Sequence, residues 1–287
     1  MDFPSGSGKI LSAGLLAFGV FGGVLVPKAV AAQDGRALGW SNVTELSFVL
    51  SAGNASSSTF GFKDAAKHLW EMASFELSAG AVRSKSGTTT RIATGTPENF
   101  TVSETTETVI TAENMFLKGR FDRTLGASVF LYGGAGWDRN TFAGIQNRYG
   151  FVGGAGRSWF DEDTRRFKAD LGLTYTIQKD VVEKPGPENS FVGLRGSYDF
   201  LHKLTESTSF GSLLVLDESL KATDDFRADW TNSIAVAMSE RLALKTSLQL
   251  LFDNTPALTA VPLGDGEVLI PLGKTDTVFT VAIVASF

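Results

Sequence analysis

From residue 40 onward the chain is dominated by short runs in which apolar and polar side chains alternate, the pattern by which a β-strand sends successive residues to opposite faces. In Leu242–Phe252, residues Leu242, Leu244, Leu248, Leu250 and Phe252 share one face, and Lys245, Ser247 and Gln249 the other. In Phe167–Gln178, Phe167, Ala169, Leu171, Leu173, Tyr175 and Ile177 oppose Lys168, Asp170, Thr174, Thr176 and Gln178. Phe226, Ala228, Trp230, Ile234, Val236 and Met238 likewise oppose Arg227, Asp229, Thr231, Ser233 and Ser239, with Asn232 interrupting the apolar face. Near the start, Leu46, Phe48 and Leu50 oppose Glu45, Ser47 and Ser51.

This pattern predicts about twelve strands, beginning near Trp40, Thr59, Met72, Thr106, Gly126, Tyr149, Arg166, Phe191, Thr208, Phe226, Leu242 and Thr275. The second, fourth, sixth and ninth alternate poorly. Asp64 and Glu113 fit a lipid-facing surface only with a bulge or another register. Short links around Trp70 and Glu71, 122–125, 161–164, 201–206, and Glu240 with Arg241 alternate with longer ones at 84–104, 140–146, 180–190, 217–225 and 253–274. Short turns on one side and long loops on the other are the signature of an outer-membrane barrel. Aromatics fall where interfacial girdles belong, with Trp40, Trp70, Phe121, Trp159, Phe200 and Phe287 at one set of strand ends and Trp137, Tyr149 and Phe226 at the other. The expected fold is therefore all-β: a transmembrane antiparallel up-and-down barrel. At roughly 4.8 Å strand spacing and ~40° tilt it measures about 24 Å across.

Residues 1–32 read as a cleavable signal peptide, with Lys9, an apolar stretch from Ile10 to Val26, and a small-residue exit at Ala29, Val30 and Ala31. A retained anchor helix is the rival reading. The remaining 33–287 read as one barrel domain with both termini periplasmic. Cleavage takes the formal charge from −5 to −6, because Lys9, Lys28 and Asp2 leave together. No basic run offers phosphates a counter-charge, so nucleic-acid binding has no support. The absence of cysteine removes thiolate ligands, thiol nucleophiles and disulfides and suits a periplasmic route.

The chemistry on offer is sparse. Inward positions include Glu45, Glu76, Lys168, Asp170, Arg195, Asp199, Arg227, Asp229 and Lys245, of mixed sign. They fit either a charged ladder in a narrow hydrated channel or a lumen cross-linked by ion pairs. Asp138, Arg139 and Arg148 form a polar cluster at the mouth of the third hairpin, read as a salt-bridged, glycine-bent register lock or as the anchor of a solute-binding loop. The glycine runs 133–136 and 153–156 lie in strands without a following helix, which excludes a dinucleotide fingerprint. They suggest close backbone approach or a bend that gives the lumen room. The two histidines, His68 and His202, fall near periplasmic turns, away from an outer-leaflet substrate, so an outer-leaflet lipid-modifying enzyme is a minor alternative, as is a ligand-binding barrel. Acidic outer-loop residues such as Asp180, Glu183, Asp217, Glu218, Asp224 and Asp225 show no calcium-loop spacing, and no metal or other cofactor is assigned.

Residues 51–54 (SAGN) and 59–62 (TFGF), Tyr132 through Trp137, Asp138 and Arg139, Phe142–Ile145, Arg148, Gly153–Gly156 and the closing Lys274–Thr277 to Phe287 resemble the salt-induced outer-membrane protein family. The resemblance runs from about residue 38 to the end, and 91–100 is longer than the family's usual second outer loop. It implies an outer-membrane location, a link to salt or osmotic stress and no defined biochemical activity. The terminal Phe287 resembles the signal read by the barrel-assembly machinery. The expected partners are thus outer-membrane lipid, that machinery, and small solutes or ions, in a small porin-like channel or an envelope-structural protein.

Overall fold

In the computed structural model the described residues are 38–51, 55–96, 99–126, 128–182, 190–263 and 266–287, so the expected signal peptide lies outside them. The strands are β1 (Gly39–Ser51), β2 (Ala55–Leu69), β3 (Ala73–Thr96), β4 (Asn99–Thr124), β5 (Val129–Asn140), β6 (Ile145–Asp161) and β7 (Arg165–Asp180). They continue with β8 (Ser190–Lys203), β9 (Thr208–Ser219), β10 (Phe226–Ala237), β11 (Leu242–Asp253), β12 (Leu258–Leu263), β13 (Gly266–Pro271) and β14 (Thr275–Ser286). Twelve of these close into an antiparallel barrel in which each neighbour in sequence is a neighbour in space, with β14 between β11 and β1. Strands β12 and β13 form a separate hairpin in the connection from β11 to β14.

A strand of twelve residues is roughly 40 Å long, and at ~40° tilt it spans about 30 Å, the hydrocarbon thickness of a bilayer. The distribution of side chains is that of a membrane barrel, apolar outside and polar inside. Leu171, Leu173, Trp40, Phe279 and Ile283 are exposed on the outer wall, while Asp170, Asp229, Lys118, Lys245 and Gln249 are buried within. Outer-wall polar groups satisfy one another. The Tyr198 hydroxyl and the Trp230 indole N–H both bond Ser212 Oγ, at 3.1 and 3.2 Å. Asp64 does face outward, and no register change removes it. Its carboxylate instead accepts from Thr44 at 2.7 Å and Asn42 at 3.0 Å, both on the adjoining strand. Glu113 pairs with Arg83 across the same outer wall, 3.8 Å apart, next to a register shift between Ser84 and Lys85.

Two predicted loops are strands. Residues 84–104 extend β3 and β4 into one long hairpin, paired up to Thr96↔Asn99, and 253–274 contains the β12–β13 hairpin. The starts of β2, β4 and β6 accordingly move to Ala55, Asn99 and Ile145. The base of the β12–β13 hairpin carries the Leu272 N–H to Ala257 O bond of 2.9 Å. It packs Ala257 and Leu272 against Gly144, which follows the short 3-10 turn Thr141–Ala143 between β5 and β6. In the barrel order β14 and β6 lie on opposite walls, so this contact crosses the mouth.

In the second of the paired glycine runs, Gly154 and Gly156 are closely approached by neighbouring groups, as the close-approach reading expects. Phe130, Tyr132 and Val152 form a buried cluster on the inner wall. A Cβ on Gly156 would collide with the Phe130 ring, and one on Gly172 with the Tyr132 hydroxyl. The glycines are thus a bed on which two aromatic rings lie, and the rings fill space that bare glycines would leave open. At Gly154 a side chain would meet the Leu171 carbonyl and, at 2.5 Å, Gly172 Cα. Because backbone cannot give way as a flexible side chain does, Gly154→Val is expected to cost about 1–3 kcal/mol, read as a lowered urea midpoint for the barrel folded in lipid vesicles.

Candidate functional site

The lumen is stacked in three layers between the end carrying the chain termini and the end carrying the long hairpin. Nearest the termini, a cavity of about 40 Å³ is lined by charged groups of both signs. Arg120 reaches Asp122 at 2.6 Å and Asp170 at 2.8 Å, and Ser197 donates to Asp170 at 2.7 Å. Lys168 lies 3.7 Å from Asp122 and 3.9 Å from Asp199, and Lys67 lies 3.9 Å from Glu76. The Arg120 guanidinium also sits 4.0 Å from the Tyr132 ring centre, a cation–π contact that ties this network to the glycine-bedded aromatics.

The middle layer is a cavity of about 100 Å³ lined by Glu45, Lys63, Asn114, Lys118, Lys245 and Gln249, together with small hydroxyl residues. Lys245 bonds Glu45 at 2.8 Å. Gln249 donates to both oxygens of Asp229 at 2.9 Å, holding that carboxylate against the wall. The third layer is a vestibule of about 600 Å³ opening at the hairpin end. Its wall carries three arginine–carboxylate pairs: Arg148 with Asp138 at 3.0 Å, Arg195 with Asp217 at 2.8 Å, and Arg227 with Asp225 at 2.8 Å. Lys118 borders all three cavities, which makes it the residue at the junction of the layers.

All nine inward positions read from the sequence line these cavities. Glu45 and Lys245 lie in the middle layer, Glu76, Lys168, Asp170 and Asp199 near the termini, and Arg195, Arg227 and Asp229 in the vestibule. The hairpin-mouth cluster is only partly assembled. Asp138 and Arg148 are cross-strand partners inside the lumen. Arg139, one residue on, alternates to the outer face, where it stands opposite Met115. Asp217 and Asp225, read from the sequence as acidic outer-loop residues, are instead the lumen partners of Arg195 and Arg227. Phe287 directly follows β14, with its main chain bonded in both directions to Asn42, each at 2.9 Å.

The sequence reading missed Lys63 and Lys67 on β2 as lumen residues, and also Lys118, Arg120 and Asp122 on β4. The spacing of two between the β4 residues was a usable signal, but Phe116 on the same inner face broke the alternation of β4. His68 packs between Trp40 and Trp70, with ring centres 4.8 and 4.2 Å away, and His202 lies beside Phe200. Both sit at the terminal ends of their strands and neither lines a lumen cavity.

No curated protein matches the sequence. Among solved structures the chain is similar to the NanC porin, at 9% identity and a TM-score of 0.45, covering 85% of this chain and 98% of that one. It is also similar to the KdgM porin, at 9% identity, a TM-score of 0.41 and coverage of 86% and 99%. A further similarity is to the CymD monoaromatic hydrocarbon channel, at 9% identity, a TM-score of 0.41 and coverage of 88% and 89%. A family model described as a protein of unknown function, DUF481, matches residues 44–287. That span takes in the barrel except the first residues of β1, together with every lumen residue named above, and the chain belongs to this family of unknown function.

Proposed function

We propose that the protein is a porin-like channel of the outer membrane that passes small hydrophilic solutes or ions through its lumen, with both termini and the short turns on the periplasmic side. The supporting observation is the polar vestibule of about 600 Å³, which shares Lys118 with both deeper cavities and so lies in line with them along the barrel axis. Paired arginines and carboxylates line the wall without a single dominant sign, which suits passage of small solutes with weak charge preference. Lys118 at the junction is the natural control point, since a narrow low-dielectric passage magnifies the effect of one charge.

The test is conductance of the refolded protein in planar bilayers. The wild type is expected to conduct, and Lys118→Ser is expected to raise the conductance and move selectivity toward cations. A silent membrane would remove the channel reading. The second reading is a purely structural envelope barrel, favoured by the Arg120, Asp122, Asp170, Lys168 and Asp199 network that ties β4, β7 and β8 together across the lumen.

A further inference from the structure

The barrel closes unevenly. Between β1 and β14 the ladder runs only from Val43↔Ser286 to Leu46↔Ile283, extended by the Asn42–Phe287 bonds at the terminal end. Continuing that register would pair Ser47 with Ala282, Phe48 with Val281, Val49 with Thr280, Leu50 with Phe279 and Ser51 with Val278. None of these rungs is formed among the described residues. The strands themselves continue. On its other edge β14 is paired from Ala285 to Thr275 with β11, and β1 is paired from Gly39 to Ser51 with β2. The interruption is thus confined to one seam and to its half nearer the long hairpin.

Unpaired strand edges in a bilayer are costly, because lipid offers backbone N–H and C=O groups no partner. What surrounds this seam is largely apolar on both faces. Its outer lips are apolar and far exposed, with Phe48 at 64% and Phe279 at 65%, beside Leu46 and Val281. The inward face of β14 is apolar at Val278, Ala282 and Val284, which are buried, with Thr280 and Asp276 as its polar members, whereas β7 and β11 keep mainly polar residues inside. Directly behind the seam lies the middle cavity, to which the flanking strands contribute Glu45, Ser47, Thr280 and Ala282, with Lys63 and Lys245 close by. The cavity lining carries Lys63, Lys118 and Lys245 against Glu45, an excess of cationic groups.

We propose that the β1–β14 seam is a lateral portal between the lumen and the surrounding lipid, and that it serves single-chain anionic amphiphiles. The head group rests in the middle cavity toward Lys63 and Lys245, and the apolar tail passes between the lips formed by Phe48 and Phe279. This deepens the reading of the lumen as a passage and rests on it. The portal supplies a second exit, sideways, for molecules too apolar to leave along the polar axis.

The test bridges the seam. The chain has no cysteine of its own, so Ser47→Cys with Ala282→Cys places two thiols on the first missing rung, to be joined by oxidation or a short bis-maleimide. A pyrene-labelled fatty acid supplied inside the lumen of reconstituted protein is expected to reach vesicle lipid in the unbridged variant. The bridged variant is expected to lose that flux and keep its axial ion conductance. Equal flux with and without the bridge would overturn the portal, as would loss of flux and conductance together, which indicates a single axial route. Fatty-acid flux in a protein that conducts no ions would leave the portal standing and the axial channel rejected. Independently, Ser47→Cys alone is expected to react with a lipid-dissolved maleimide, and Ser197→Cys, inside a fully paired part of the wall, is not. Failure of Ser47→Cys to react would also overturn the portal.

Discussion

Leu171→Arg is expected to destabilise the barrel in a lipid bilayer by about 2–4 kcal/mol, the cost of a charge on the lipid face near the midplane. Leu171 is 74% exposed, stands opposite Ala155 and Gly196 on the outer wall, and lies in the middle stretch of β7. In a protein surrounded by water, a replacement at so exposed a position changes stability by no more than about 0.5 kcal/mol. The two surroundings therefore predict different results from one substitution. Equilibrium unfolding in urea from phospholipid vesicles reads the difference, and an unchanged midpoint would mean that this wall does not face lipid.

Asp170→Ala is expected to cost about 1.5–3 kcal/mol, because it leaves one arm of the Arg120 guanidinium and the Ser197 hydroxyl without an acceptor while Asp122 still compensates the charge. Asp170 is itself buried and accepts from both Arg120 and Ser197. Its loss strands one arm of a guanidinium that lies against the Tyr132 ring. Replacing the whole triad, as in Arg120→Met with Asp122→Leu and Asp170→Leu, is expected to recover most of the loss, since apolar packing replaces a buried ion group at little net cost. The same unfolding titration separates the variants. If the single change proves neutral, the lumen network is hydrated well enough to contribute nothing to stability.

The strands that could be read directly are those with lipid on one face and lumen on the other. In β7, β10 and β11 every second residue meets a different solvent, and the sequence alternates accordingly. The outer part of the β3–β4 hairpin was unreadable for a related reason. Residues 93–96 and 101–107 are exposed without alternation, so with water on both sides nothing imposes a period of two. In β2 the outward Asp64 broke the pattern, and its remedy, Thr44 and Asn42, lies on the adjoining strand. In β5 the inward rings of Phe130 and Tyr132 fit only because glycines stand on the facing strands. Such compensation is a property of neighbours in space.

The lumen was legible as a set of inward charges and illegible as a set of pairs. Alternation places Lys245 and Glu45 on inner faces, but they are 200 residues apart in sequence, and their bond exists only because β14 brings the two ends of the chain together. Arg120 and Asp170, 50 residues apart, meet across the interior from β4 and β7. For the same reason, whether the seam between β1 and β14 is complete is a matter of register, which side-chain patterns along either strand alone do not encode.

The contact of Ala257 and Leu272 with Gly144 joins opposite rims of the mouth. An aperture crossed by such a contact is narrowed in one direction, toward a slot, and a slot selects by thickness. Flat or extended molecules can enter edge-on where a compact one of the same mass is turned away, so the sieving of this barrel is expected to follow the narrowest dimension of a solute more closely than its molecular weight.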